Sequence, residues 1–392
     1  MMEIQKLAST NFSLTQSIRR DLHKNPELGF QEFRTASIIS RYLNSYGFSV
    51  MEKVGKTGVV GVLDTGRSGK SLLMRFDMDA LPVQEDNISD YSSQNLGVMH
   101  ACGHDGHIAV GLTVAKILSE NVDSLNGKFI IVFQPAEEGL GGAESMLAEH
   151  ILENQKPDAA LAFHLWNEKP IGWLGVNPGP LMAGADLVKI TITGKGGHGA
   201  IPQEAIDPVI TAAQVLIGLQ TIVSRNISPL DSAVVSITEF HAGDAHNIIP
   251  SQAVLQGSVR SFSKSTRDLV ITRIQQISES IAAGMGCSAI VNVIPLTPPV
   301  INSPAIADLV IDTAEKVLPD LEIDRSYQVM VSDDMALFLE KVPGCYILVG
   351  SADKEKGLIE HHHNPRFDFS ESAMETAVIL LTGFAENYLN RN

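Results

Sequence analysis

The chain has 392 residues, of which 44% are hydrophobic and 19% are charged, and its formal net charge is −16. This composition excludes a disordered or collagen-like chain, and the length indicates two domains. The negative charge argues against binding to nucleic acid or to an anionic membrane surface, because both partners carry charge of the same sign.

The sequence shows no pattern typical of a membrane span or a secretion signal. No apolar run comes near the ~20 residues that a bilayer-spanning helix needs. Residues 1–12 lack the basic start and apolar core of a signal peptide. The three cysteines, Cys102, Cys287 and Cys345, are too few for a disulfide framework. We therefore expect a cytoplasmic protein in which a thiol stays reduced and is available as a metal ligand.

The first half of the chain alternates between helical and strand-like segments. Apolar side chains recur at helical spacing over residues 31–46, and Gly47 provides a stop signal. Short apolar runs bounded by polar residues or glycine predict buried strands of an α/β sheet, with one apolar helix among them. The predicted strands are 59–63, 72–76, 129–133 and 159–163, and the helix is 108–118.

The pattern changes after Pro178, Gly179 and Pro180, where a strand-helix-strand-strand-helix-strand order begins. This order is the signature of a ferredoxin-like unit. Its predicted elements are 187–193, about 208–224, 233–240, 253–262, 266–283 and 289–294. The α/β pattern then resumes with a strand at 346–350 and a helix at 370–389. We therefore predict a small domain, residues 184–296, inserted into a discontinuous α/β domain formed by residues 1–183 and 297–392.

Reactive side chains follow three of the predicted strands. Asp77 and Asp79 follow one strand, Glu137 and Glu138 follow another, and His164 ends a third. Ligands of open α/β sheets bind beyond the carboxyl ends of the strands, so these groups are expected to meet at one site. Each group also has a plainer interpretation, since paired glutamates after a strand often form a solvated turn and a lone histidine is often a core residue.

The segment from Met99 to His107 is the richest in metal-ligand side chains. Its thiol and imidazoles suit zinc, with manganese, cobalt or nickel as alternatives. In a plainer interpretation Asp105 N-caps the following helix and Cys102 is a small core residue. Both interpretations can hold at once, with Cys102 and His104 as ligands.

The segment from Gly194 to Gly199 satisfies the G-x-G-x-x-G pattern of dinucleotide-binding proteins. No acidic residue ends a strand about 20 positions later, so the dinucleotide interpretation is rejected. The loop either presents His198 or is a plain turn. A G-x-S-x-G nucleophile motif is absent. Cys102 as a nucleophile would leave the glutamate pair and the other histidines without a role.

Together these blocks resemble the di-metal aminoacylase and carboxypeptidase-like hydrolases. They are most similar to the amidohydrolase branch, which includes hippurate hydrolases, N-acyl-diaminopimelate deacylases and auxin-conjugate hydrolases. The resemblance runs from Leu22 to the C-terminal helix and so covers nearly the whole chain. Its most specific blocks are residues 77–82, 100–105, 134–139, 196–198, 247–250 and 363–365.

The resemblance implies a zinc-peptidase-like α/β metal-binding domain with a ferredoxin-like lid, through which such subunits often form homodimers or larger oligomers. It implies a metal-dependent hydrolase that cleaves the amide bond of N-acyl amino acids with two divalent ions per subunit. Carried over by motif, the metal ligands are Cys102, His104, Glu138, His164 and His363. His362 is the alternative to His363.

By the same resemblance, Glu137 is the general base that takes a proton from the attacking water. His198 would donate a hydrogen bond to the oxyanion, within its own subunit or across a dimer, and Asn247 is a second candidate there. Asp79, with Asp77, would orient the metal ligands.

Arg260 would pair with a substrate carboxylate, or is simply a surface arginine on a strand. The alternatives to this function are a metallo-dipeptidase or carboxypeptidase that uses the same site, and a small-ligand binder without turnover. A nucleotide-dependent enzyme is the weakest alternative. Cys102 disfavours the peptidases, because peptidase relatives usually offer only carboxylates and histidines there.

Overall fold

The computed structural model describes residues 2–391. Its strands are β1 Ser49–Val54, β2 Gly58–Asp64, β3 Ser71–Asp77, β4 Lys128–Gln134, β5 Ala159–Pro170, β6 Trp173–Gly175, β7 Pro180–Met182, β8 Gly184–Thr193, β9 Gly197–His198, β10 Ala233–Ala242, β11 Ile248–Ile249, β12 Gln252–Ser261, β13 Ser288–Thr297, β14 Val300–Ile301, β15 Glu322–Asp324 and β16 Gly344–Ala352. Its helices are α1 Ile4–Lys24, α2 Phe33–Ser45, α3 His104–Glu120, α4 Gly142–Leu147, α5 Ile151–Gln155, α6 Pro208–Leu219, α7 Thr221–Arg225, α8 Lys264–Gly284, α9 Pro304–Val317, α10 Ala336–Leu339 and α11 Ser372–Leu389.

The chain divides into two units. The first unit comprises Met1–Leu181, Ile301–Tyr327 and Asp334–Asn392, and the second comprises Met182–Val300 and Gln328–Asp333. The short segment Gln328–Asp333 therefore groups with the second unit, whereas the sequence analysis assigns all of residues 297–392 to the first domain. The predicted domain limits stay predictions.

The first unit is built on an eight-stranded sheet with the order β1-β2-β4-β3-β5-β16-β6-β15. Its central strands β4, β3, β5 and β16 are parallel. Because helices cover both faces of such a sheet, the central strands are almost wholly buried and their sequences are mostly apolar, with Arg75 of β3 as a buried exception. The carboxyl ends of the parallel strands meet at one edge, which is where the candidate ligands lie.

Aromatic packing holds helix α3 close against this sheet. The Phe76 ring lies 5.6 Å from Phe133 and 5.8 Å from Phe163, measured between ring centroids. A Cβ atom at Gly111 of α3 would lie 2.9 Å from the Phe76 ring, so only glycine allows this close approach. The packing fixes the first turn of α3, and with it His104, relative to strand β3.

The second unit has a four-stranded antiparallel sheet with the order β10-β12-β8-β13. With α6 after β8 and α8 after β12, this is the ferredoxin-like arrangement predicted from the element order. Helix α6 begins at Pro208, where the Asp207 carboxylate accepts hydrogen bonds from two first-turn amides. The predicted fold class, an α/β domain with a ferredoxin-like insertion, is confirmed.

One helical stretch, Pro208–Arg225, is apolar and long enough to cross a membrane by length and composition, and 33% of it is buried in the structure. The sequence had been expected to contain no such stretch. Its buried side chains, which include Val215 and Leu219, belong to the core of the second unit. A single helix of this kind is weak evidence for a membrane span, because the core helices of soluble proteins pass the same test.

Candidate metal centre

The edge of the parallel sheet in the first unit gathers the side chains that the sequence analysis singled out. Asp77 is the last residue of β3, and Glu137 and Glu138 follow the end of β4. His164 lies inside β5, which continues to Pro170. The expectation that His164 ends a strand is therefore wrong, since Leu165 and Trp166 after it remain paired with β16.

Five side chains at this edge form two overlapping groups of candidate metal donors. Cys102 lies with His104 and His164 in one group and with Glu138 and His363 in the other, and the donor atoms within each group are no more than 4.8 Å apart. The Cys102 Sγ is 3.4 Å from Nε2 of His164. The His363 Nε2 is 3.2 Å from Oε1 of Glu138. The structure thus brings together all five residues predicted as metal ligands, with Cys102 common to both groups.

Two of the histidines are held in the orientation that a metal ligand needs. The Nδ1 of His104 donates to the backbone oxygen of Asp79 at 2.9 Å, and its Nε2 is buried without a hydrogen-bond partner among the described residues. The Nδ1 of His164 donates to the backbone oxygen of Leu165 at 2.7 Å. A histidine that binds metal through one ring nitrogen usually donates the other to such a carbonyl. The donor set therefore fits divalent transition-metal ions.

The electrostatics of the site favour an added positive charge. Burial lowers the pKa of His104, but Asp77, Asp79 and Glu138 outweigh burial and raise that pKa to about 10. Burial and the nearby glutamates raise the pKa of the Cys102 thiol well above its ordinary value. The carboxylates contribute to both shifts, because they stabilise a cation and oppose another anion, and burial adds to the shift of Cys102. A divalent ion would supply the charge that these groups favour.

The geometry distinguishes His362 from His363, which are neighbours in the loop between β16 and α11. The Nε2 of His362 donates to the backbone oxygen of Leu165 at 2.9 Å, and its ring stacks on Trp166. Burial lowers the pKa of His362 to about 3. His363 instead has a positive φ of 67° and its amide donates to the Ala101 oxygen at 2.8 Å. This left-handed turn leaves the side chain of His363, and not that of His362, beside Glu138.

Asp79 contacts two of the candidate ligands. Its Oδ2 accepts the Glu138 amide at 3.1 Å, and its backbone oxygen accepts the Nδ1 of His104. These contacts fix the His104 ring and the Glu138 backbone relative to β3. The orienting role that the resemblance implies for Asp79 stays a prediction, with which these contacts are consistent.

Asp77 supports the site through Arg75, which the sequence did not single out, and through His107, the last residue of the segment rich in metal-ligand side chains. Its carboxylate accepts from Nδ1 of His107 at 2.5 Å and from Arg75 at 2.6 Å. Burial opposes ionisation, but His104, His107 and Arg75 hold the pKa of Asp77 well below its usual range. The Nε2 of His107 accepts the Leu165 amide at 3.0 Å, so both ring nitrogens of His107 are occupied. His107 therefore has no free nitrogen for a metal, although it lies near Asp77 and His104.

Helix α3 begins differently from the plainer interpretation. Gly103, with a φ of 86°, occupies the N-cap position, and Asp105 lies inside the first turn. The buried Asp105 carboxylate accepts from Arg19 and from Nδ1 of His23, each at 2.8 Å. The idea that Asp105 is the N-cap is wrong, because these two side chains of α1 occupy its carboxylate. Burial lowers the pKa of His23, but Asp105 raises it to about 9.

The remaining predicted site residues lie in the second unit. His198 and Asn247 are exposed and adjacent, because β9 pairs with β11 and the Gly199 amide donates to the Asn247 oxygen at 2.8 Å. Arg260 on β12 is half-buried and donates to Ser332 Oγ at 2.8 Å. It makes no ion pair with a carboxylate of residues 2–391, and burial lowers its pKa. The structure thus groups His198 with Asn247.

Comparison with known proteins identifies the family. The family model for peptidase family M20/M25/M40 matches residues 73–387. The chain belongs to this family. The resemblance stated from the sequence motifs is confirmed, and so is the prediction of a hydrolase.

Relatives of this M20 family member are similar over almost their whole length. The Bacillus subtilis (strain 168) protein YhaA, named as an amidohydrolase, is 38% identical, and the match covers 98% of this chain and 97% of YhaA. The hippurate hydrolase of Campylobacter jejuni is 37% identical, with 95% and 96% covered. The crystal structure of Bacillus subtilis YxeP, described as a dinuclear metal-binding peptidase of the M20 family, superimposes with a TM-score of 0.86 at 34% identity, covering 97% and 99%.

Proposed function

We propose that this M20 family member hydrolyses the amide bond of N-acyl amino acids to a carboxylic acid and an amino acid. Two divalent ions per chain, of zinc, manganese, cobalt or nickel, would be held by Cys102, His104, Glu138, His164 and His363. The observation that carries the proposal is the meeting of these five donors beside a further glutamate, Glu137. The relatives named for amidohydrolase and hippurate hydrolase activity support the substrate class.

The proposed mechanism assigns one proton route to Glu137. When bound, the metal ions would lower the pKa of water and polarise the amide carbonyl. The Glu137 carboxylate takes a proton from the attacking water and passes it to the leaving nitrogen, which an amide requires in order to depart as an amine. The Glu137 carboxylate lies in one donor group with His104 and Glu138, which places it close to the proposed metal ligands, as this role requires. Glu138 serves as a ligand, and Asp79 orients it.

The second unit would supply the substrate contacts. His198 donates to the carbonyl oxygen as negative charge develops on it, and Asn247 is a second donor there. Arg260 would bind the carboxylate of the amino-acid part, which is consistent with its lack of an ion-pair partner among residues 2–391. We further propose a cytoplasmic location, supported by three cysteines that are all unpaired and buried.

A homodimer formed through the second unit is part of the proposal. Strand β13 lies at the edge of its sheet, and Ile290 and Ile294 are 61% and 52% exposed there. Ile210 and Ile217 on α6 are also exposed. Apolar side chains next to an unpaired strand edge are typical of an interface between subunits.

A mixing experiment tests whether His198 acts across such a dimer. Glu137→Gln and His198→Ala subunits, each inactive alone, are unfolded and refolded together. If His198 acts on the partner subunit, the mixture regains about a quarter of wild-type activity, because half of the dimers are mixed and each contains one complete site. If the mixture stays inactive while native mass spectrometry shows mixed dimers, His198 acts within its own subunit or has no catalytic role.

Hydrolysis and metal content together test the proposed function. Purified protein is assayed on N-acetyl and N-benzoyl amino acids before chelation, after chelation and after single metals are added back. We expect chelation to abolish turnover and one metal to restore it at close to two ions per chain, measured by elemental analysis. Turnover that survives complete metal removal would contradict the proposal. Two bound ions without turnover on any substrate would instead favour a binding role.

A metallo-dipeptidase or carboxypeptidase is the second candidate. It is favoured by the peptidase description of the family and of YxeP. Matched pairs separate the two activities, since an N-acetyl amino acid and a dipeptide with the same C-terminal residue differ only in the acyl part. Cleavage of the dipeptides alone would reverse the order of the two candidates.

A further inference from the structure

A buried carboxylate far from the metal donors in sequence contacts the loop that carries the proposed base. Glu32 is fully buried, and its Oε1 accepts the backbone amide of Ala136 at 3.0 Å. Its Oε2 accepts the hydroxyl of Thr57 at 2.5 Å. Although Glu32 occupies the N-cap position of α2, its side chain makes no capping hydrogen bond to that helix. The carboxylate is therefore turned away from its own helix and towards Ala136.

Ala136 needs such support because of its backbone conformation. Its φ is 52°, in the left-handed region that non-glycine residues rarely adopt, and the residue is fully buried. Such a conformation is strained and persists only where the surroundings enforce it. The turn at Ala136 sets the direction in which the next residue, Glu137, leaves the end of β4.

The segment that carries Glu32 is itself fixed against both carboxylate-bearing loops. A Cβ atom at Gly29 would lie 3.0 Å from Cα of Ala136, so glycine permits direct packing there. The Glu27 oxygen accepts the amide of Ala80, next to Asp79, at 2.8 Å. The Glu27 carboxylate accepts the Thr35 amide at 2.8 Å, which ties the segment to α2. Residues 27–32 thus form a rigid connection between the loop after β3 and the loop after β4.

The two adjacent glutamates have separate anchors. The amide of Glu138 is held by Asp79, whereas the amide before Glu137 is held by Glu32. We propose that Glu32 is a positioning residue for Glu137, because it fixes the left-handed turn at Ala136 from which that side chain extends. The inference rests on the proposed role of Glu137 as general base. It predicts that removing Glu32 impairs the proton route while the metal ligands stay in place.

Four variants test this role: Glu32→Ala, Glu32→Gln, Glu32→Asp and the control Thr57→Val. Alanine removes the acceptor of the Ala136 amide, and a displacement of the base by about 1 Å lowers kcat about a hundredfold. We expect KM and the two bound ions to be retained. Glutamine keeps an oxygen at the same distance from the backbone and should retain most of the wild-type kcat. Aspartate keeps the charge but is too short to reach the Ala136 amide, so its kcat should be low, as in the alanine variant. Thr57→Val removes the other partner of Glu32 and should lower only Tm.

Hydrogen exchange at the Ala136 amide gives a readout that does not need turnover. Exchange in a peptide covering residues 133–139 should accelerate in Glu32→Ala and Glu32→Asp, but not in Glu32→Gln or Thr57→Val. Wild-type exchange or wild-type kcat in a folded Glu32→Ala protein would overturn the role, as would loss of metal in parallel with kcat. If the alanine variant does not fold, an active aspartate variant beside an inactive glutamine variant would overturn it. If the wild-type protein itself shows no turnover, the proposed function is contradicted. The exchange result would still show whether Glu32 holds the Ala136 amide, so the two failures are distinguishable.

Discussion

Replacing Glu137 by glutamine is expected to lower kcat by at least about 10²–10⁴-fold, the range that general acid–base catalysis contributes. The amide is nearly isosteric with the carboxylate but cannot accept the proton of the attacking water. The metal ions should stay bound, because the five proposed ligands, Cys102, His104, Glu138, His164 and His363, are all unchanged. KM should change little, since the substrate contacts are proposed for the second unit. Steady-state kinetics and elemental analysis on the same preparation measure these quantities.

Glu144→Gln provides the matched control. Glu144 lies in α4, shortly after the same loop, and is exposed. The substitution makes the same change of charge nearby without touching a candidate donor. We expect wild-type kcat and metal content from it. A Glu137→Gln protein as active as this control would remove Glu137 from the mechanism.

Replacing Cys102 by serine is expected to have the second large effect, on metal content first and on activity as a consequence. Cys102 is common to both donor groups, and a serine hydroxyl is a far weaker ligand than a thiolate for these metals. The metal content should therefore fall from two ions per chain to one or none. The kcat should fall at least about a hundredfold, because metal activation of water is lost. Metal titration of the chelated protein followed by elemental analysis measures the loss.

The same cysteine makes metal binding depend on pH with a definite sign. Burial and the neighbouring carboxylates raise the pKa of the Cys102 thiol, so the free site holds a neutral thiol that must lose its proton when a metal binds. Metal affinity should accordingly rise with increasing pH, and binding should release protons. Cys287→Ser is the control, because Cys287 lies in the second unit beside the hydroxyl of Thr211. A Cys102→Ser protein that keeps two ions and wild-type kcat would contradict the shared-ligand role.

The elements that sequence patterns predicted well are those whose side chains are buried on every side. Strand β3 was predicted as residues 72–76 and spans Ser71–Asp77, because both faces of a central parallel strand select apolar residues. Helix α1 was not predicted at all. Its buried face includes Asn11, Thr15, Arg19 and His23. These polar side chains interrupt the helical periodicity of apolar residues from which a helix is predicted. The partner of Arg19 and His23, Asp105, comes from a distant part of the chain and leaves no local signal.

The residues of the candidate site also divide into those that sequence motifs predicted and those that they did not. Cys102, His104 and Glu138 stand in short motifs whose residue types already indicate metal chemistry, and the structure brings them together. Arg75 and Glu32 act on the site only through contacts made by folding, with Asp77 and with the Ala136 amide. A single arginine in a strand or a single glutamate before a helix has no distinguishing pattern. Arg75 and Glu32 were therefore beyond the reach of motif analysis, whereas Asp77 and Asp79 stand in a motif and were predicted.

The contacts of helix α1 also bear on the order in which the chain folds during translation. Arg19 binds Asp368 at 2.7 Å, and Arg20 and Gln16 bind Glu371 at 2.7 Å and 2.8 Å. The first unit thus cannot be completed until its last residues have left the ribosome. The second unit, by contrast, is nearly all one uninterrupted stretch, Met182–Val300. We therefore expect the inserted unit to fold first on the nascent chain. Helix α1 and its buried Arg19 cannot complete their contacts until the carboxyl-terminal segment has been synthesised.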